Sequence, residues 1–199
     1  MVFKKNIMLK VFILLEFFLL LGSCAYQYTN EHNLDIEDVK KIKLNVKSFE
    51  INKDALDIIN SENLLQNEIN KKVLNKLEAW AWQKFAIEGM ENKAILKLLE
   101  NDLSVVEKRK HKKSILSIIQ QGKEVYKITL NFNLYLTAND SLIKTLKITS
   151  SLDFVLLNKY SITQRDKAII YNVNKLIKLI DDKVTFQLSN KAFDKFVIK

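Results

Sequence analysis

EVYKITLNFNLYLT, residues 124–137, is the stretch that determines the fold of this chain. Apolar and polar side chains alternate along it, and a period of two predicts a β-strand with one buried face. Turn-forming residues 138–141 follow, and residues 142–157 return with a similar alternation. The two segments are therefore predicted to pair as a long antiparallel hairpin. The apolar residues of the first strand are Tyr126, Ile128, Leu130, Phe132, Leu134 and Leu136.

Two further strands are predicted upstream of this hairpin. Residues 39–51 alternate between an apolar face and a lysine-rich face, which is typical of a half-exposed strand. Residues 94–106 begin with a similar alternation, although Asn101 and Asp102 interrupt it. A basic segment, residues 107–113, then begins a long hairpin connection that reaches Gly122.

Two long amphipathic helices are predicted, one over residues 64–87 and one from Thr163 to residue 188. Gly89 is expected to end the first helix, and Thr163 with Asp166 resembles a capping box that opens the second. Apolar side chains at intervals of three and four residues form a stripe on each helix. The stripes are Leu65, Ile69, Val73, Leu77 and Trp80 in the first helix, and Ile169, Val173, Leu176, Ile177, Ile180, Val184 and Leu188 in the second.

Three aromatic residues lie at the C-terminal end of the first predicted helix. Trp80, Trp82 and Phe85 are expected to join the core and dock this helix on the sheet. The alternative is an aromatic wall that contacts acyl chains or a partner protein.

These elements predict an α+β fold. We expect a four-stranded, mostly antiparallel sheet with two long helices on one face, after an N-terminal signal helix. The chain is predicted to comprise a signal peptide (residues 1–23), a lipidated tether (24–37) and a single α+β domain (38–199). The pattern does not determine which later strand pairs with the first one.

The composition argues against several classes of active site. With 3 glycines and no proline, the chain cannot form a dinucleotide-binding loop, a P-loop or a nucleophile elbow. His32 and His111 lie in the predicted tether and in the basic segment, which argues against a catalytic triad or a zinc site. Asp181 and Asp182 are neighbours in a helix, point about 100° apart, and are expected to pair with lysines of the same helix. We therefore expect no enzymatic activity, no metal and no cofactor.

The N-terminal residues have the layout of an export signal. Lysines precede an apolar run, residues 11–21, that is too short to span a membrane comfortably. The segment LGSC that ends at Cys24 resembles a bacterial lipobox, which implies cleavage after Ser23 and attachment of palmitate-containing lipid at Cys24. Glu16 is unusual within such an apolar run, so an uncleaved N-terminal anchor is the alternative.

The lipobox and the order of the elements together resemble the small α+β envelope lipoproteins of Gram-negative bacteria, which include the lipopolysaccharide-assembly lipoproteins. The resemblance covers residues 24–190. It implies a lipid-anchored, non-enzymatic protein that binds a partner protein or a glycolipid in outer-membrane assembly. Ala25, where an Asp would signal retention in the inner membrane, favours the outer membrane and its periplasmic side. The alternatives are an auxiliary lipoprotein of a lipid-transporting ABC system and a structural lipoprotein without a ligand.

The net charge of +9 at pH 7 comes almost entirely from lysine. Much of it is expected to be a solvated surface, and nucleic acid is not an expected partner of an exported chain. One basic cluster, next to apolar residues 115–119, is a candidate site of contact with anionic surfaces such as lipopolysaccharide. The alternative is a mobile hairpin tip. The residues of this candidate site are Lys108, Arg109, Lys110, Lys112 and Lys113.

Overall fold

The computed structural model describes residues 39–52, 63–99, 102–107, 122–138 and 141–198, which all belong to one compact unit. The predicted signal helix and tether lie outside the described residues. The elements in chain order are β1 (Ile42–Leu44), β2 (Ser48–Asn52), α1 (Leu64–Lys84), β3 (Phe85–Ile87), β4 (Lys93–Lys97), β5 (Leu103–Glu107), β6 (Lys123–Ala138), β7 (Ser141–Leu157), α2 (Ile162–Leu188), a 3-10 turn (Lys191–Phe193) and β8 (Val197–Ile198).

β6 is the centre of the larger sheet, because it pairs along both of its edges. β7 runs antiparallel to β6 along one edge, which confirms the predicted hairpin. β4 and β5 share the other edge and follow one another along it. β2 adds to β4 in parallel, and this is the pairing that the sequence pattern leaves open.

The prediction of one continuous strand at residues 94–106 is wrong, because a turn divides it into β4 and β5. Leu99 N donates to the carboxylate Oδ2 of Asp102 at 2.6 Å, and Asp102 N donates to Leu99 O at 3.0 Å. A short polar side chain that bonds to nearby backbone competes with strand pairing. Asp102, which interrupts the sequence pattern, therefore marks a real break.

The predicted strand at residues 39–51 is also divided, because the chain leaves one sheet and enters another. β1 lies between β3, its parallel neighbour, and β8, its antiparallel neighbour. Asn45 N donates to Phe196 O at 2.9 Å, and Lys47 N donates to Glu91 O at 2.8 Å. Later parts of the chain thus hold the bend between β1 and β2, and such contacts leave no local sequence pattern.

The α+β class with two long helices is confirmed, whereas the predicted four-stranded, mostly antiparallel sheet is wrong. Within the described residues the protein has a five-stranded sheet and a three-stranded sheet, and each contains a parallel pair. The additional strands are short. Some arise from the two divided segments, and β3 and β8 each follow the C-terminal end of a helix.

Helix α1 begins after Asn63, whose side-chain Oδ1 accepts from Leu65 N at 3.0 Å and from Gln66 N at 3.3 Å. It ends at Lys84, and Phe85 is already extended as the first residue of β3. The prediction that Gly89 stops the helix is wrong. Gly89 is needed for close packing instead, because a Cβ there would lie 2.4 Å from backbone atoms of residues 45 and 46.

Helix α2 begins with a capping box, but not with the predicted one. Gln164 N donates to Ser161 Oγ at 3.3 Å, and Ser161 N donates to Gln164 Oε1 at 2.9 Å. The predicted pair, Thr163 and Asp166, lies two residues further along, inside the first turns of the helix. Ser161 takes the cap because its backbone is extended, as an N-cap residue requires.

Both helices cover the same face of the larger sheet, which forms one core with them. The Trp80 ring of α1 lies 6.2 Å from the Phe132 ring of β6. Lys72, in the first half of α1, contacts Asp166 near the start of α2, and Lys84 at the end of α1 contacts Asp181 further along α2, so the two helices run in parallel. The predicted stripes are confirmed as buried, except that Leu65 is only partly buried.

Candidate functional site

The residues proposed from sequence as functional lie outside the described part of the chain. These are Cys24, which is the lipid-attachment candidate, and the basic cluster at residues 108–113. β5 ends at Glu107, and its antiparallel neighbour β6 begins at Lys123. The basic cluster therefore belongs to a connection between two adjacent strands, as predicted. The two histidines also lie outside the described residues.

Two kinds of feature are absent from the described part of the chain. Among residues 39–52, 63–99, 102–107, 122–138 and 141–198, no group of three or more His, Cys, Asp or Glu side chains could hold a metal ion. Within the same ranges, no helix is both long and apolar enough to span a bilayer.

A buried polar cluster joins the two helices near their C-terminal ends. Lys84 is fully buried, and its Nζ lies 2.7 Å from Asp181 Oδ1 and 2.7 Å from Thr185 Oγ1. The indole Nε1 of Trp80 donates to the same Asp181 Oδ1 at 2.8 Å. The Thr185 hydroxyl in turn donates to the backbone oxygen of Asp181 at 2.8 Å. A lysine without solvent contact thus has two oxygen partners.

The prediction that Asp181 pairs with lysines of its own helix is wrong. Its ionic partner is Lys84 of α1. The signal was present as two i,i+4 pairs, Trp80 with Lys84 and Asp181 with Thr185, each of which places polar groups on one helix face. Nothing in either helix alone shows that the two faces meet. The cluster fixes the register of the helices, and we assign it a structural role.

A second polar cluster connects the start of α2 with the start of β6. Arg165 donates to both carboxylate oxygens of Glu124, at 2.6 and 3.3 Å, and the Tyr126 hydroxyl donates to Glu124 at 3.0 Å. The hydrogen bonds from Arg165 lower the pKa of Glu124 below its ordinary value. Burial, followed by the contact with Glu124, raises the pKa of Tyr126. The Tyr126 ring also stacks on Phe154.

The face of the larger sheet that points away from the helices is not covered by any described element. We call it the open face. Because side chains alternate along a strand, it presents the residues between the buried ones of β2, β4, β5, β6 and β7, and these residues are exposed or half-buried. Glu50 and Asp153 are its acidic members, and Glu50 lies 2.7 Å from Lys93. Four apolar residues, Ile95, Val106, Val125 and Val155, also belong to it. Its other polar members include Lys93, Lys97, Lys127, Thr129, Asn131, Asn133, Tyr135, Thr145, Lys147, Thr149 and Ser151.

The aromatic group at the end of α1 is only partly buried, so one prediction there is corrected. Trp80 and Phe85 belong to the core, as predicted, but Trp82 is 51% exposed. The Trp82 ring meets Phe49 of β2 edge to face, with centroids 5.2 Å apart. It thus covers the edge of the sheet at β2 and leaves its other side in solvent, because residue 82 lies off the buried stripe.

The open face is the best candidate for a binding surface within the described residues. It combines amide and hydroxyl groups, which form hydrogen bonds with sugars, and more lysines than carboxylates. The sequence contained this signal as the polar half of each alternating strand. That half is easily overlooked, because polar residues on a strand are also what a merely solvated face requires.

Comparisons with known proteins gave structural likenesses alone. No protein-family model matches the chain, and no curated protein matches it significantly. The minor lipoprotein of Acinetobacter baumannii has a similar structure, with a TM-score of 0.39 at 10% identity over 76% of this chain and 94% of that chain. Rare lipoprotein B from Shewanella oneidensis gives a TM-score of 0.35 at 10% identity over 71% of this chain and 94% of that chain. At such scores these are partial likenesses, and they assign neither a family nor an activity.

Proposed function

We propose that this chain is a lipid-anchored, non-enzymatic protein of the cell envelope that binds an anionic glycolipid through its open face. The anchor is Cys24, and the supporting evidence is the lipobox-like sequence that ends there. By the same resemblance, Ala25 favours the outer membrane and its periplasmic side, and the process is outer-membrane assembly.

The observation that carries the binding part is the composition of the open face. A sheet face that only needs to be solvated requires no particular polar groups. Here amide and hydroxyl side chains lie between lysines on neighbouring strands, so sugar hydroxyls and phosphates could be bound by the same surface. The fold supports this arrangement, because the helices cover only the opposite face of the sheet.

Two other functions remain to be separated from this one by experiment. An auxiliary lipoprotein of a lipid-transporting ABC system would share the anchor, and its partner would be a membrane protein complex. A structural lipoprotein would have the anchor and no ligand. Chemical crosslinking in intact cells followed by purification of the chain separates these alternatives, since the first would recover transporter subunits and the second would recover no envelope machinery.

Metabolic labelling with radioactive palmitate tests the anchor. The chain should incorporate label, and the Cys24→Ser variant should not. Equal labelling of the two forms would mean that Cys24 is not the site of attachment. Globomycin, which inhibits the signal peptidase of lipoproteins, should cause the longer precursor to accumulate.

Binding of the full chain to vesicles that contain lipopolysaccharide tests the open face. Lys97→Gln combined with Lys127→Gln and Lys147→Gln should weaken binding at low salt. Lys108→Gln combined with Lys110→Gln and Lys112→Gln is the matched variant in the basic cluster, with the same loss of charge. If only the second variant weakens binding, the cluster is the contact site and the open face is not. Vesicles of phosphatidylcholine alone provide the baseline.

A further inference from the structure

One end of the domain is formed by four segments that are remote from one another in the chain. Both helices end there, since β3 follows α1 directly and the 3-10 turn follows α2 closely. Gly89 N donates to Val46 O at 3.1 Å, and Asn45 N donates to Phe196 O at 2.9 Å, so three of the segments are in contact. The start of β7 is the fourth. We call this region the entry end, and it comprises residues 39–47, 85–92, 141–144 and 190–198.

The chain enters the domain at this end. Ile42 faces Phe85, the residue directly after α1, so the first described residues lie beside the helix ends. The opposite end of the domain is where β6 begins at Lys123 and β7 finishes at Leu157. The two ends are roughly 50 Å apart, because β6 has 16 residues that rise about 3.3 Å each. A membrane anchor in the N-terminal residues would therefore hold the entry end nearest to the bilayer.

Three large aliphatic side chains are exposed at the entry end. Met90 is 90% exposed in the loop between β3 and β4, and Leu142 and Ile143 are 56% and 51% exposed at the start of β7. The register of β6 with β7 shifts by one residue at Ile143, which forms a β-bulge. Two consecutive residues next to a hairpin turn are thus apolar and exposed, where polar residues are usual. Single apolar residues on a surface need no explanation, but adjacent ones indicate contact with a partner or a membrane.

The charge of the entry end is positive. Its four segments contain seven lysines and three acidic residues, and one of the acidic residues, Glu88, lies 3.0 Å from Lys43. Lys144 Nζ lies 5.8 Å from the centre of the Phe193 ring. Three further lysines are exposed, and these are Lys47, Lys191 and Lys195. Aliphatic side chains among lysines suit the boundary of an anionic bilayer, where the apolar groups enter the acyl region and the ammonium groups contact phosphates.

We propose that the entry end lies against the anionic phospholipid leaflet that holds the N-terminus, with Met90, Leu142 and Ile143 inserted at the headgroup boundary. The three exposed lysines named above would contact the lipid phosphates. The aliphatic side chains need not touch one another, since a flat bilayer meets whatever projects from one end of the domain. The inference rests on the membrane anchor of the proposed function, but not on its chemistry, because a lipid at Cys24 and an uncleaved anchor would place the entry end in the same way. It does not rest on the open face.

Fluorophore depth measurements test this placement with the full chain, purified from membranes and reconstituted in vesicles that contain phosphatidylglycerol. An environment-sensitive dye is attached to Met90→Cys, to Ile143→Cys or, at the opposite end, to Lys159→Cys. All three side chains are exposed, so the dye should not disturb the fold. The emission of the dye at residues 90 and 143 should shift to shorter wavelength and be quenched by spin-labelled lipid, whereas the dye at residue 159 should report water. The wild-type chain gives any background from Cys24.

Two results of this experiment would overturn the proposal, and they are distinct from each other. If the chain floats with the vesicles while the dyes at residues 90 and 143 stay in water, the entry end does not contact the bilayer and the anchor still stands. If the chain does not float with the vesicles, both the anchor and the contact are wrong.

Removal of charge separates the entry end from the open face. Lys47→Gln combined with Lys191→Gln and Lys195→Gln should abolish most of the quenching at residues 90 and 143, because the lysines supply the attraction to the anionic leaflet. The open-face triple variant described above loses the same charge and is the matched control, which should leave the quenching unchanged. If the control abolishes the quenching and the entry-end variant does not, the open face is the surface that lies on the membrane and the proposal fails. Binding of lipopolysaccharide by the open face can fail its own test while the quenching persists.

Discussion

Lys84 Nζ lies 2.7 Å from Asp181 Oδ1, and the lysine side chain has no exposed surface while the aspartate retains 21%. The pair joins α1 to α2 inside a core that is otherwise almost entirely apolar. Desolvation of two charges can cost as much as their attraction returns, so such a pair is weak evidence for stability. Removing one partner is a different matter, because it leaves the other charge buried and uncompensated.

Asp181→Ala should lower the free energy of unfolding by about 3–5 kcal/mol. The variant removes the ionic partner of Lys84 and the acceptor of the Trp80 indole. Asp182→Ala, one residue further along the same helix, is the matched control and should change stability by less than about 1 kcal/mol. Urea denaturation followed by tryptophan fluorescence measures both.

The double variant Lys84→Met with Asp181→Asn should be clearly more stable than Asp181→Ala. It removes both charges, keeps a side chain of similar length at position 84 and keeps an oxygen acceptor for Trp80. Equal stability of the double variant and Asp181→Ala would show that the ionic contact is not what makes the site sensitive.

Ser161→Ala should destabilise the protein by about 1 kcal/mol, because it removes the side-chain acceptor for Gln164 N at the start of α2. Thr163→Ala is the matched control, since Thr163 is exposed inside the first turn and caps nothing. Thermal denaturation should separate the two variants. Equal destabilisation by Ser161→Ala and Thr163→Ala would contradict Ser161 as the N-cap and would favour Thr163, the residue predicted from sequence.

Gly89→Ala should destabilise the protein by about 1–3 kcal/mol, because the new Cβ would meet backbone atoms of residues 45 and 46 at 2.4 Å. Gly122→Ala is the control, since nothing lies within 4 Å of a Cβ at that position. Neither glycine has a positive φ, so the comparison isolates the lack of space. If Gly89→Ala leaves the free energy of unfolding unchanged, the backbone at residues 45 and 46 can shift to make room for the new Cβ.

Glu124→Gln should destabilise the protein by about 1 kcal/mol near neutral pH, because it breaks a bidentate pair with Arg165. The pKa of Glu124 is lowered in the folded protein from the ordinary 4.5, so the stabilisation is present above that value. It is lost as the pH falls through the lowered pKa. The difference between wild type and variant should therefore shrink below pH 4.5.

The control for Glu124 is Glu50→Gln, whose contact with Lys93 is more exposed. It should cost less at neutral pH, since exposed pairs contribute little. Denaturant titrations at several pH values measure both variants. If the destabilisation caused by Glu124→Gln stays constant down to acid pH, the ionised carboxylate of Glu124 is not its cause.

The long strands and both helices could be predicted from sequence, because each has one continuous apolar face. The alternation in β6 and the stripe of α2 stay in phase over their whole length, and burial follows them residue by residue. Short strands could not be predicted in this way. β3 and β8 have three and two residues, which is too few to show a period, and their partners are remote in the chain.

Helix ends and the candidate binding surface are harder to predict, for different reasons. Ser161 and Thr163 are both good capping residues, and only the backbone at residue 161 decides between them. Lys84 looks like an ordinary surface lysine until α2 is placed beside it. The open face depends on which side of the sheet the helices cover, and that is a property of the assembled fold.

The pairing of β1 with β8 links two segments of the domain that are remote in the chain. Leu44 faces Val197, and Asn45 N donates to Phe196 O at 2.9 Å, so the first described strand is completed by the last described residues. A variant truncated before Phe196 would leave β1 with one unpaired edge and the bend that leads to β2 without a support. Loosening at one end of the domain would thus expose the strands at its other end to proteases.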